Sequence, residues 1–252
     1  MFRFWKGPDR ESSLTASWGA GIFALAFPPR CPFCRSSVSG VQKPGLCTPC
    51  REGLHWLSAP CCSCCGRPYP PGSSDHLCES CLRKPPFYDR ARSLVAYEGP
   101  VARAIQRFKY QKDFLLTASL AWLADCYPWD QELFDILIPV PLHLRRLRER
   151  GFNQAVLLSR ACRDLSSRII KPGTLRRIRP TAPQVHLTPG ERLKNVSGAF
   201  QVSRPQEVTG KEIMLIDDVY TTGATVNECA RVLKKAGAAG VSVFTLARVV
   251  PA

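Results

Sequence analysis

The sequence predicts a small metal-held module followed by an α/β domain with a mainly parallel sheet. Three observations carry that reading. Ten of the thirteen cysteines lie between Cys31 and Cys81, in two copies of one spacing. Further along, apolar strand-like runs alternate with amphipathic helical segments. One run, Ile213–Ile216, meets two aspartates and turns through threonines and a glycine into a helix.

The chain has 252 residues, which suits one large domain or two smaller ones. With 45% hydrophobic residues it can build a packed core. Its formal charge of +15 points to polyanionic partners such as nucleic acid, nucleotide phosphates or a membrane surface, against the plain alternative of a basic protein with no such partner. No window approaches the roughly 18–20 apolar residues of a spanning helix. Trp18–Phe27 is about half that length, and Pro28-Pro29-Arg30 and a C-x2-C pair come after it instead of a small-residue cleavage site. It reads as a short helix packed on the domain next in the chain. The expected division is a helical segment over 1–28, a zinc module over 29–84 and the α/β domain over 85–252.

The cysteine cluster contains an internal repeat. Cys31-x2-Cys34-x12-Cys47-x2-Cys50 recurs as Cys62-x2-Cys65-x12-Cys78-x2-Cys81, offset by 31 residues. Cys61 and Cys64 also make a C-x2-C pair, but that register breaks the repeat. Gly66 after Cys65 suits the tight turn of a metal knuckle. Four thiolates give Zn²⁺ a closed tetrahedral shell, so both sites read as structural; disulfides or an iron–sulfur centre are the alternatives. A short Pro- and Gly-rich region builds little core, and metal binding supplies the missing folding energy. The spacing leaves open which knuckle pairs with which. Reduced, metal-bound cysteines suit the cytoplasm. Cys126, Cys162 and Cys229 read as small buried residues.

In the second part, Ser93–Tyr97 reads as a strand and Gly99–Lys109 as a helix with Val101, Ile105 and Phe108 on one face. Phe114–Cys126 is a second helix and Phe134–Val140 a buried strand. Asn153–Leu165 is helical with Asn153 as N-cap. After a Pro- and Arg-rich stretch, Glu212–Ile216 is a strand, Thr222–Ala236 a helix closed by Gly237, and Gly240–Leu246 a final strand.

The run from Ile213 through Asp217, Asp218, Thr221, Thr222, Gly223, Ala224 and Thr225 carries the chemistry. Backbone N–H groups and the positive end of the helix dipole favour a phosphate in that turn. The threonines add hydroxyl donors, and Gly223 lets backbone approach the anion. Asp217 and Asp218, at the carboxyl end of a strand, can accept hydrogen bonds from adjacent sugar hydroxyls. A sugar phosphate satisfies both halves. Neither a Walker loop nor a GxGxxG fingerprint occurs.

This segment resembles the phosphoribosyl pyrophosphate loop of type I phosphoribosyltransferases. The chain from about Pro29 to Arg248 is similar to the ComF family, including its GntX-like group. The matching residues are Phe108-Lys109-Tyr110, Pro139–Leu142, Arg146–Gln154, Thr181, Gln184, Leu187, Arg192, Asn195, Gly198–Phe200 and the Asp-Asp loop. The resemblance implies a double zinc ribbon joined to a phosphoribosyltransferase-like domain, binding of phosphoribosyl pyrophosphate with Mg²⁺, and a link to DNA uptake in natural transformation or to DNA utilisation. Other uptake proteins near the inner membrane are implied partners. By position, Pro141 and Leu142 belong to the loop that cradles pyrophosphate. The resemblance implies no particular transfer reaction or acceptor, no catalytic residue is assigned, and no segment reads as a hood for a nucleobase. An active transferase in nucleotide salvage is the alternative.

From Pro141 to Pro180 there are eleven Arg or Lys residues and two acids. Arg145, Arg146, Arg148 and Arg150 are the dense part. Some suit pyrophosphate and others a single-stranded DNA backbone, with a solvated helix face as the alternative. Phe108, Tyr110 and Phe152 are candidate stacking faces. Lys109 either faces the pocket or is an exposed helix-end cation.

Overall fold

The computed structural model describes residues 29–38, 45–181 and 189–250. The helix expected at Trp18–Phe27, together with Gln184 and Leu187, lies outside the described residues. The two cysteine copies form two separate clusters, Cys31/Cys34/Cys47/Cys50 and Cys62/Cys65/Cys78/Cys81. In each, the four sulfurs lie within 4.8 Å of one another. Each knuckle therefore pairs with the next in the chain. Cys34 Sγ is 3.5 Å from Cys47 Sγ, and Cys65 Sγ is 3.7 Å from Cys78 Sγ. A tetrahedral zinc with bonds of about 2.3 Å to sulfur has edges of about 3.8 Å, so both donor sets fit structural zinc. Cys62 Sγ also accepts N–H bonds from Cys65 (3.4 Å) and Cys78 (3.3 Å), which favours a thiolate there. Single-turn helices α1 (Thr48–Glu52) and α2 (Glu79–Arg83) follow Cys47 and Cys78, at equivalent places in the two copies.

Gly66 has φ +69°, and an added Cβ would lie 2.6 Å from the Ala91 carbonyl oxygen. Only glycine fits both conditions. Arg35, the equivalent residue in the first copy, takes the same left-handed backbone at an exposed position.

The second part is built on a four-stranded parallel sheet of order β1-β6-β5-β2, with β1 Arg90–Ala96, β2 Ile136–Pro139, β5 Glu212–Tyr220 and β6 Gly240–Arg248. A separate antiparallel pair joins β3 (Leu175–Arg177) to β4 (Phe200–Val202). The remaining helices are α3 (Gly99–Tyr110), α4 (Leu116–Asp125), α5 (Leu144–Arg150), α6 (Gln154–Ala161), α7 (Arg163–Ser166), α8 (Pro189–Val196) and α9 (Ala224–Lys235). Helix α3 has proline in its first turn and buries Val101, Ala104, Ile105 and Phe108, the i, i+3, i+4, i+7 stripe. Asn153 caps α6 by accepting the Ala155 N–H at 2.9 Å.

Both faces of the sheet are covered, which is why its strands read as continuous apolar runs. Met214, Ile216, Phe244 and Leu246 pack on one face with α3, α4, α6 and the first zinc cluster. Ile213, Leu215, Val241 and Val243 pack on the other with α9 and the second zinc cluster. The edges are covered as well. The ribbon segment at Trp56 pairs antiparallel with Val95, with Leu57 N–H on the Leu94 carbonyl (2.9 Å) and Ala96 N–H on the His55 carbonyl (2.8 Å). At the opposite edge, Ile170 bridges Leu137. Blocked edges remove the open ladder groups that invite strand-to-strand association.

Most boundaries shift by a few residues from the sequence reading, and three of the differences bear on the site or on a helix. Strand β5 runs on to Tyr220, so Asp217 and Asp218 lie within the strand and not beyond its end. The helix expected over Asn153–Leu165 is two helices, α6 and α7, broken at Cys162. Helix α9 opens at Ala224, because Gly223 in the left-handed region cannot be its first helical residue.

The paired clusters predict two equivalents of zinc in the purified protein. Cys62→Ser or Cys65→Ser should release one of them, whereas Cys61→Ser and Cys64→Ser should keep both. Metal analysis of the four variants decides it, and a single zinc in the wild type would refute the assignment.

Candidate functional site

The carboxyl ends of β2, β5 and β6 open onto a cavity of about 390 Å³. This is where parallel α/β sheets leave room for ligands. Asp217, Asp218, Thr221, Gly223, Ala224, Thr225, Pro141 and Leu142 all line it. Thr222 does not: it is exposed, and its Oγ1 accepts the Ala224 N–H (3.4 Å) at the start of α9. Gly223 has φ +76°, and an added Cβ would fall 2.2 Å from Tyr220 Oη. The turn is thus pressed against the Tyr220 ring and admits glycine alone.

Asp217 and Asp218 are adjacent on β5, and Asp217 Oδ1 accepts the Asp218 N–H at 2.9 Å. Lys109, at the end of α3, places Nζ 2.8 Å from Asp218 Oδ1. Lys109 therefore faces the cavity, one of the two alternatives its sequence position left open. Burial works against its charge, but Asp218 and Asp217 outweigh that and hold its pKa above the usual lysine value. Burial, reinforced by the charge of Asp218, pushes the Asp217 carboxyl up to about 7. Asp218 Oδ2 is buried without a hydrogen-bond partner among the described residues. One strand end therefore offers an unsatisfied acceptor and a carboxyl poised near neutrality, which suits a ligand that brings hydroxyl donors or a cation.

The basic segment divides. Arg146 and Arg150 line the cavity. Arg150 is buried, donates to Gln154 Oε1 (2.6 Å) and lies 5.5 Å from the centre of the Tyr110 ring. Arg145 is exposed and pairs with Glu149 at 3.0 Å, and Arg148 is exposed. Of the three aromatics, Phe108 and Phe152 are core, their rings 5.1 Å apart. Tyr110 is 63% exposed and lines the cavity, so it alone of the three has a free aromatic surface.

The sequence reading missed the β3–β4 pair and α8. They bring Arg177, Thr181 and Arg192 to the cavity wall. Burial lowers the Arg177 pKa, and its Nε has no partner among the described residues. Strands of three residues are too short to show a period; the Thr181 and Arg192 positions in the family resemblance were the one signal for them. Together the wall sets cationic side chains around two acids, a lining suited to a ligand that carries both anionic groups and hydroxyl donors.

The family model of the double zinc ribbon domain matches residues 22–84. "Competence protein F" of Haemophilus influenzae is 34% identical over 229 residues, covering 87% of this chain and 96% of that protein. "DNA utilization protein YhgH" of Escherichia coli K12 is 34% identical over 226 residues, covering 81% and 97%. "Competence protein ComFC" of Bacillus subtilis is 33% identical over 215 residues, covering 81% and 84%. A looser likeness, 17% identical with a TM-score of 0.34, covers 52% of this chain and 26% of the allosteric regulatory enzyme of purine biosynthesis. Fold and sequence define a double zinc ribbon carried on an α/β domain with a parallel sheet. The chain belongs to the ComF family.

A raised folded-state pKa means that ionising Asp217 costs stability. The cost is absent below the unfolded-state value of about 3.9, grows as pH rises toward 7, and is constant above it. Asp217→Asn should therefore stabilise the fold at pH 8, by on the order of 2 kcal/mol, and by less at pH 5. Thermal unfolding of both proteins at the two pH values tests this; an equal or opposite shift would remove the strained-carboxyl account.

Proposed function

We propose that this protein binds phosphoribosyl pyrophosphate with Mg²⁺ in the cavity, and single-stranded DNA on the adjoining surface, in the service of DNA uptake or utilisation. The observation that carries the first half is the Asp217–Asp218 pair set immediately before a turn that opens α9, inside a wall of arginines. The 5′-phosphate is assigned to the Thr221–Thr225 turn, where backbone N–H groups and the helix dipole favour a dianion. The ribose hydroxyls are assigned to the two carboxylates, one of which has a buried oxygen without a partner among the described residues. The diphosphate is assigned to Pro141 and Leu142, with Arg146 as its counter-charge. Mg²⁺, when bound to the diphosphate, offsets its repulsion from the aspartates.

The DNA half rests on the names of the relatives, on the +15 charge, and on exposed Arg145, Arg148 and Tyr110. Cations follow a strand's backbone and an open aromatic takes an unstacked base. Among the described residues no helix is long and apolar enough to cross a membrane. Cysteines kept as metal ligands favour the reducing cytoplasm, near the uptake proteins of the inner membrane. A second reading, active phosphoribosyl transfer in nucleotide salvage, gains support from the β3–β4 pair, which brings Arg177 to the cavity wall. Product formation from labelled phosphoribosyl pyrophosphate with a panel of bases separates the two.

Asp217→Ala/Asp218→Ala should weaken phosphoribosyl pyrophosphate binding in Mg²⁺ at least tenfold, given about 1.5–3 kcal/mol per hydrogen bond to a charged group. Calorimetry with and without Mg²⁺ reads this; equal binding by both proteins, or by neither, removes the assigned role. For DNA, fluorescence polarisation against salt is the measure. Arg145→Gln/Arg148→Gln should flatten the log–log salt slope by about 1.4, from two lost phosphate contacts on a single strand, and leave phosphoribosyl pyrophosphate binding unchanged. No binding by the wild type at low salt would sink the DNA half.

A further inference from the structure

We infer that Arg248 is a positioning residue through which the second zinc ribbon sets the geometry of the Thr221–Ala224 turn. Arg248 ends β6 and is only 6% exposed. A buried guanidinium needs compensation, yet among the described residues no carboxylate forms an ion pair with it. Its partners are the Cys65 carbonyl oxygen (2.6 Å), Cys65 Sγ (3.7 Å) and the face of the Tyr220 ring (4.3 Å to its centre). Zinc bound by four thiolates carries two net negative charges. The filled cluster is therefore the counter-charge for Arg248, supplied through Cys65.

The linkage continues from Arg248 to the turn. Tyr220, the last residue of β5, holds Arg248 on one ring face, and its hydroxyl meets Tyr88 Oη at 2.7 Å. Its carbonyl accepts the Val249 N–H (2.9 Å), which ties the ends of β5 and β6 together. The same ring lies against Gly223, so its position dictates where the turn can run. Each member touches the next: Cys65, Arg248, Tyr220, Gly223. Tyr220 is a polarisable platform that keeps the guanidinium over the strand ends, in the geometry of a cation–π contact. The cluster thus acts on the cavity from outside its wall, and emptying it removes both the charge and the carbonyl that hold Arg248. The effect on the turn stands without any ligand; only its effect on affinity rests on the phosphoribosyl pyrophosphate reading.

The test is hydrogen–deuterium exchange of full-length protein without ligand, with zinc content measured alongside. Arg248→Met should keep the first ribbon and the sheet protected while amides from Asp218 to Val226 exchange at least tenfold faster. Arg248→Lys, which keeps the charge and one donor, should recover part of that protection, a rescue that mere filling of space does not produce. If Arg248→Met loses protection throughout the sheet, Tyr220→Leu takes its place: it keeps the cluster and the Arg248 bond to the Cys65 carbonyl, removes the ring that passes them on to Gly223, and should loosen the same amides. Wild-type exchange across the turn in a folded Arg248→Met or Tyr220→Leu protein overturns the inference. Phosphoribosyl pyrophosphate calorimetry on the same samples should show about a tenfold loss for Arg248→Met. If the turn loosens as expected but even the wild type fails to bind, the ligand reading falls and the linkage stands.

Discussion

Two adjacent carboxylates on a buried strand need a cation nearby, and much of the structure can be read as the means of delivering one. Ionising both would set like charges side by side where little water screens them. Lys109 answers one charge directly, and the other remains a carboxyl pushed up to about 7. For Lys109 to reach Asp218, α3 must lie along the sheet with its C-terminal end at the cavity. Its apolar stripe fixes the rotation, and Arg107, two residues before Lys109, fixes the end. Arg107 donates to the Phe33 carbonyl (2.7 Å) and the Pro32 carbonyl (2.7 Å) of the first ribbon, and pairs with Asp113 at 2.6 Å. The metal module is therefore one of the supports of the lysine.

The two ribbons do parallel work on opposite faces. Each adds its cysteines and a few apolar residues to the core on one side of the sheet. Each also presents backbone carbonyls to arginines from the α/β domain: Phe33 and Pro32 to Arg107 in the first ribbon, Ser63 to Arg92 and Cys65 to Arg248 in the second. A metal knuckle is suited to this because its turns leave carbonyls directed outward at fixed positions, and the closed zinc shell keeps them there. A loop of similar length without metal would lose that order to conformational entropy. Duplication of the ribbon brings a rigid acceptor to both sides of the site, at α3 and at β6.

Much of this was legible in the sequence, for physical reasons that differ by element. The cysteine register was readable because tetrahedral coordination demands fixed spacing, and the repeat excluded Cys61 and Cys64. Strands and helices of the sheet were readable because burial on both faces imposes continuous apolar runs, and burial on one helix face imposes a stripe. The strand-to-helix turn was readable because an apolar run there gives way to two acids, threonines and a glycine. What stayed hidden depends on contacts distant in sequence. Nothing local in Arg248 distinguishes it from the many other basic residues of the chain. Lys109 has two equally good local readings, and only the packing of α3 against β5 chooses between them. The paired strands Leu175–Arg177 and Phe200–Val202 are too short for a period to appear.

The division of the basic segment comes from the same contrast between local pattern and tertiary placement. Residues 145, 146, 148 and 150 sit on a helix, so neighbouring arginines point to different sides. Arg146 and Arg150, four apart, share the face turned to the cavity. Arg145 and Glu149, also four apart, share another face and pair there. The acid on that outer face neutralises part of its charge, and the cavity face has no acid of its own on α5. The helix thus turns arginines toward the site with no acid beside them on the same face, and leaves a milder surface outside. A ligand with several phosphates inside and a flexible polyanion outside would meet those two strengths in the right order: a dense, partly buried set of donors for the compact anion, and an exposed, salt-screened set for the strand.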